Sequence, residues 1–160
     1  MHKLIAISGS PGTGKSTLAT LLVKKLNAER LDLQDYYKEI STADNKQKKC
    51  YDIDIKKVEG LVRAKKKKHE LVIIDSHVAH LLPKSLINLC IVLTSSNLKT
   101  LEKRLKERKY NKAKIRENLD AEIFQVCLME AKENGHKVIT FDTSKRMTQK
   151  ELLQIITKNL

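Results

Sequence analysis

Residues 8–17, SGSPGTGKST, follow the apolar run Leu4-Ile5-Ala6-Ile7 and lead into Leu18, Leu21, Leu22 and Leu26 at helical spacing. A buried strand that turns through glycines straight into a helix leaves few folds open, because it is the first half of a strand–helix–strand crossover. Gly9 to Ser16 match G-x-x-x-x-G-K-[ST] throughout. Glycines there let backbone N–H groups turn inward around phosphate oxygens, and the helix adds its positive N-terminal end. The spacing assigns Gly12 and Gly14 to the backbone cradle, Lys15 to the β- and γ-phosphates and the Ser16 hydroxyl to Mg²⁺. Thr17 falls beside the α-phosphate. The loop predicts a nucleoside triphosphate site with Mg²⁺.

The rest of the chain repeats that alternation. Strands are expected at His2–Ser8, Glu29–Leu33, Leu71–Asp75, Asn88–Thr94 and Lys137–Phe141, with helical stretches between them. Ile115, Leu119, Ile123, Val126 and Cys127 recur as on one helix, and Leu152, Leu153, Ile155 and Ile156 suit a closing helix. Three strands are continuous apolar runs, as a parallel sheet covered on both faces requires. The expectation is a single α/β domain over residues 1–160, a parallel five-stranded sheet flanked by helices. No apolar run reaches the roughly 18 residues of a membrane span, and the start is too short for a signal peptide. Cys50, Cys90 and Cys127 are odd in number and lack paired spacing, which argues against disulfides and zinc and for a reducing, cytoplasmic setting. Cys90 and Cys127 lie in apolar runs and are expected to serve packing.

Charge is the unusual total, +13 over 160 residues, and it is uneven. Residues 46–70 carry ten basic and four acidic side chains, and residues 99–118 carry nine and three. Two basic zones on a nearly neutral body point to polyanionic partners, nucleotide phosphates or RNA. The plainer reading of Lys46–Lys49 and Lys65–Lys68 is solvated surface.

Three further elements carry chemistry. Asp75 ends a buried strand, where it would sit beside the loop and orient Mg²⁺ through water, or else cap a helix. His77 follows two residues on, beyond the strand's carboxyl end, where it would face the nucleotide crevice and position water or accept a proton; an ordinary surface histidine fits the spacing equally. Arg104 and Arg108 lie four apart on one helical face, suited to the oxygens of a transferring phosphoryl group or to surface pairing with Glu107. The lack of an N-K-x-D sequence argues against guanine reading. Asp32 and Asp35 would suit a hydroxyl acceptor, the mark of a P-loop small-molecule kinase.

Taken together, these pieces resemble a P-loop nucleoside-monophosphate kinase, and more closely the adenylate kinase isoenzyme 6 family. That family comprises coilin-interacting nuclear ATPases and their archaeal relatives. The carriers are Gly9–Thr17, then Asp75-Ser76-His77 as the family's D-x-H Walker B, then RLKERKYNKAKIRENLDAEIFQV at 104–126. In that last stretch Arg108, Tyr110-Asn111, Lys114, Glu117-Asn118 and Glu122-Ile123 match the family pattern. The resemblance implies that Gly12, Gly14, Lys15, Ser16 and Thr17 bind ATP, and that Asp75 and His77 sustain its turnover. It implies that Arg108 opens a short lid at about 107–117 and reaches ATP, and that Lys145 lies near the adenine. Residues 32–53, with Asp35, Tyr51 and Asp52, fall where the family has its monophosphate-binding arm. The implied activities are phosphoryl transfer from Mg-ATP to AMP and an ATPase linked to small ribosomal subunit maturation. The implied partners are a small-subunit platform ribosomal protein and rRNA; an assembly factor switched by nucleotide, with little kinase turnover, is the alternative. Two departures stand out: Lys109 replaces a common lid glycine, which should stiffen or re-aim that turn, and the arm is short and lysine-rich.

Overall fold

The computed structural model describes residues 1–45 and 50–160, and the side chains of all of these except 43–45, 50 and 51. Lys46, Lys48 and Lys49 and the Tyr51 side chain therefore lie outside the described residues. At the centre is β1 (Lys3–Ser8), paired in parallel with β5 (Leu71–Asp75) on one side and β6 (Leu89–Thr94) on the other. Outside these lie β2 (Glu29–Asp32) against β5 and β7 (Val138–Asp142) against β6, giving the parallel order β2-β5-β1-β6-β7.

The apolar runs divide by parity, because successive strand side chains point to opposite faces. Leu4, Ala6, Val72, Ile74, Cys90 and Val92 face one side, under α3 (Ile55–Lys68) and α6 (Val126–Glu133). Ile5, Ile7, Ile73, Leu89, Ile91 and Leu93 face the other, under α1 (Lys15–Leu26) and α7 (Gln149–Asn159). All twelve are buried, and each large aliphatic side chain so buried contributes on the order of 1.5–3 kcal/mol. Cys90 is buried and Cys127 half-buried, both free thiols within this packing.

Two excursions leave this body. Between β2 and α3 come a 3-10 turn at Leu33–Tyr36, the short α2 (Tyr37–Ile40), and the antiparallel pair β3 (Ser41–Asn45) and β4 (Cys50–Ile53). Between β6 and α6 come α4 (Leu98–Glu107) and α5 (Lys112–Ile123), which share a small core of Leu101, Leu105 and Ile115 with Tyr110 and Leu119 against it. β2 stops at Asp32 rather than Leu33 because the Asp32 carboxylate accepts the Gln34 N–H at 3.0 Å and starts the 3-10 turn. The expected single helix through Ile115–Cys127 is two. Gln125 adopts φ 50°, the left-handed region, so α5 can cover α4 while α6 covers the sheet. Ile123, at the end of α5, is 52% exposed as a result.

The first basic zone is partly internal bookkeeping of charge. Lys65 donates to Glu29 at 2.6 Å and Lys66 to the Leu86 carbonyl at 3.0 Å, while Lys67 and Lys68 are exposed in the last turn of α3. Cations there also face the negative end of the helix dipole. Among the described residues no helix is long and apolar enough to cross a membrane.

Candidate functional site

β1 ends directly beneath the glycine loop, and the loop's geometry follows from its sequence. Gly9, Gly12 and Gly14 hold φ of 147°, 84° and 96°, values that side chains rarely tolerate. A Cβ on Gly9 would stand 2.6 Å from the Leu93 carbonyl oxygen, whereas one on Gly14 would meet nothing within 4 Å. The loop is thus packed on its sheet side and open on the other, the shape of a cradle. Lys15 opens α1 and folds back, donating from Nζ to the carbonyls of Gly9 at 2.9 Å and Ser10 at 3.0 Å. Burial pushes its pKa down to about 8, with Arg108 adding to the fall and Cys127, Asp75 and Glu122 opposing it. A desolvated ammonium whose hydrogen bonds go to carbonyl dipoles is one that an anion would stabilise, so the residues present fit a phosphate chain.

Strand register brings Asp75 to the loop, since β1 pairs with β5 through Ile7 and Asp75. The Ser16 hydroxyl donates to Asp75 Oδ2 at 3.2 Å. One hydroxyl and one carboxylate behind a phosphate cradle suit Mg²⁺, which keeps several waters and takes few protein ligands. His77 lines the cleft with much of the residue in solvent, yet the cleft walls desolvate its ring; that, then the nearby Lys15, His80 and Lys114, push its pKa below the ordinary 6.5. The neutral ring is the form this setting favours. His80, by contrast, is buried and bonded to Ser8 Oγ and Glu130 Oε2, each at 2.6 Å, tying β1 to α6.

One cleft of about 740 Å³ joins these groups to both excursions. Gly12, Gly14, Lys15, Ser16, Thr17, Asp75, His77 and Arg108 all line it, as does Asp52 from β4. Leu33, Gln34 and Tyr37 line it from the first excursion, and Tyr110, Lys114 and Asn118 reach it from the α4–α5 segment. Lys114 Nζ stands 3.9 Å over the Tyr110 ring. Asp35 and Lys145 are exposed and do not line this cleft, Lys145 being on the turn after β7. The Tyr51 side chain is outside the described residues.

Three contacts go beyond the sequence reading. Arg104, weighed there as a phosphate ligand or a partner of Glu107, donates from Nη1 to the Gly12 carbonyl at 3.0 Å and so braces the loop from α4. Glu122 is buried and accepts the Ser95 N–H at 2.7 Å, fastening α5 to the end of β6. Arg30 embraces Asp75 with Nε on Oδ1 at 2.9 Å and Nη2 on Oδ2 at 3.0 Å. Only the adjacency of β2 and β5 reveals that pair; no spacing in the sequence carries it.

Comparison with known proteins agrees with this geometry. A family model described as an AAA domain matches residues 5–125. A Thermococcus kodakarensis protein named "Putative adenylate kinase" is 34% identical over 98% of this chain and 87% of its own length. An adenylate kinase isoenzyme 6 homolog of Schizosaccharomyces pombe is 39% identical over 81% of this chain and 74% of its own. Among solved structures, a shikimate kinase from Acinetobacter baumannii shares the fold with a TM-score of 0.63 and 15% identity, covering 99% of this chain and 95% of that one. A deoxyadenosine kinase from M. mycoides shares it at 0.56 and 18%, covering 98% of each.

Proposed function

We propose that this chain, which belongs to the adenylate kinase isoenzyme 6 family of P-loop kinases, transfers the terminal phosphoryl group of Mg-ATP to AMP. The observation that carries the reading is the continuity of the cleft. The same cleft is lined by the phosphate cradle and Asp75 and by Leu33, Gln34, Tyr37 and Asp52 of the first excursion, more wall than a triphosphate chain alone would need. Lys15, Ser16 and Thr17 hold the donor's phosphates, and Arg108 stabilises charge on the transferring group. An oxygen of the AMP phosphate attacks the γ-phosphorus, the bond from that phosphorus to the β-bridging oxygen breaks, and two ADP result. The attacking oxygen is already anionic, so no base is needed. Magnesium, when bound, neutralises the β- and γ-oxygens; Ser16 would hold it directly and Asp75 through water. Closure of the two excursions over the cleft would exclude water as a competing acceptor.

His77 supports a second activity. Water, unlike AMP, must lose a proton on attack, and a neutral imidazole at the cleft is suited to take it. ATP hydrolysis by this route would serve small-subunit maturation, with a platform ribosomal protein and rRNA as partners for the basic surfaces. RNA binding that weakens steeply with salt would support that role. Lys15→Ala and Asp75→Ala should each lower turnover at least about 100-fold, roughly 3 kcal/mol of transition-state stabilisation. Near-wild-type rates in either variant would remove that residue from the mechanism.

A further inference from the structure

Asp75 is less available than its place beside the loop suggests. Its side chain is 5% exposed, and an ionised carboxylate offers about four lone-pair positions. Arg30 occupies one on each oxygen and the Ser16 hydroxyl a third, on Oδ2. One position is left, on Oδ1, enough for a single metal-bound water. The charge is offset as well, since the guanidinium meets the carboxylate through two N–H groups, one on each oxygen, the two-point pairing that arginine forms best. Asp32, the next carboxylate along β2, is 3.8 Å from the same guanidinium. Arg30 is not among the residues lining the cleft, whereas its partners Asp32 and Asp75 are.

We propose that Arg30 is a positioning residue that holds Asp75 as a charge-compensated, oriented acceptor, so that the divalent cation enters with the nucleotide rather than before it. The inference rests on the ATP–Mg²⁺ reading of the loop but not on the identity of the acceptor. Two roles are combined in one side chain. The positive charge keeps the empty site from attracting a bare dication. The two-point geometry holds Asp75 where it accepts the Ser16 hydroxyl hydrogen bond, which leaves the serine oxygen's lone pairs free for a metal.

The two roles separate by substitution. Arg30→Gln removes charge and geometry together, whereas Arg30→Lys keeps the charge and loses the planar fork. The first readout is Mn²⁺ binding to nucleotide-free protein, followed by electron paramagnetic resonance, which requires neither ATP nor AMP. Arg30→Gln should bind Mn²⁺ at least about tenfold more tightly than wild type, the least a neighbouring unit charge is worth to a dication in a water-like dielectric. The double variant Arg30→Gln, Asp75→Asn should lose that gain. Arg30→Lys should remain within about threefold of wild type. In turnover with Mg-ATP, both single variants should lose about tenfold in kcat with KM for ATP little changed, the usual scale for a group that orients a metal partner.

Tighter Mn²⁺ binding together with slower turnover is a combination that mere loosening of the β2–β5 contact does not produce. Unchanged Mn²⁺ affinity in Arg30→Gln would overturn the charge role, and wild-type kcat in Arg30→Lys would overturn the orienting role. Should Arg30→Gln fail to fold, Arg30→Lys still decides the second point. Failure of AMP as acceptor would leave the Mn²⁺ result standing.

Discussion

Lys109, a departure from the common lid glycine, holds the left-handed conformation that glycine suits. It sits at φ 59° immediately after α4, with the Lys109 N–H on the Lys106 carbonyl at 2.8 Å and the Tyr110 N–H on the Leu105 carbonyl at 3.3 Å. Those two bonds are the helix-ending pair in which the left-handed position is ordinarily glycine. Tyr110 then packs on Leu101, Leu105 and Ile115, so the turn is fixed from both sides. A side chain in this conformation costs about 1–2 kcal/mol. Lys109 is exposed and has no ion pair among the described residues, so its removal forfeits no contact. Glycine returns roughly 0.5–1 kcal/mol of that gain as extra freedom in the unfolded chain. Lys109→Gly should therefore stabilise the protein by about 1 kcal/mol, a rise of roughly 2–4 °C in Tm for a domain of this size. Thermal unfolding by circular dichroism reads it, with Lys109→Ala as the control that keeps the strain. A lower Tm for glycine, or an equal gain for alanine, would refute the strain argument.

Removing the Arg104 brace on Gly12 by Arg104→Ala should cut kcat/KM for ATP about tenfold or more, since a charge-assisted bond of this kind is worth about 1.5–3 kcal/mol; an unchanged value would make the contact incidental. Glu122→Ala leaves the buried Ser95 amide unpaired and should cost about 2 kcal/mol, or ~4–8 °C in Tm; no shift would mean that another group satisfies that amide. Lys15 titrates near 8 in the ligand-free protein and holds phosphate only when charged, so kcat/KM for ATP should be level below that pH and fall above it. A profile flat to about pH 9.5 would contradict the assignment.

What was legible in the sequence was whatever is written locally. The glycine loop declares its strand, turn and helix within ten residues, and the apolar runs of β1, β5 and β6 announce a sheet covered on both faces. Asp75 was legible because a strand end beside such a loop has few alternatives. The left-handed break at Gln125 was not, because the apolar spacing continues through it; two helix axes are needed only because α5 and α6 cover different surfaces. Arg30 was hidden for a different reason. Its partner is 45 residues away and becomes a neighbour only through the order β2-β5-β1. Arg104 was noticed as a cation, but its target is a backbone carbonyl, which no residue pattern records.

The central claim is that the cleft holds a phosphoryl donor and a phosphoryl acceptor together. The most direct measurement is ADP formation from Mg-ATP with and without AMP, using Lys15→Ala as the blank. ADP formation that AMP raises well above the AMP-free hydrolysis, with two ADP for each ATP consumed in the added part, is the predicted result. Equal ADP release with and without AMP would contradict it and leave water as the acceptor.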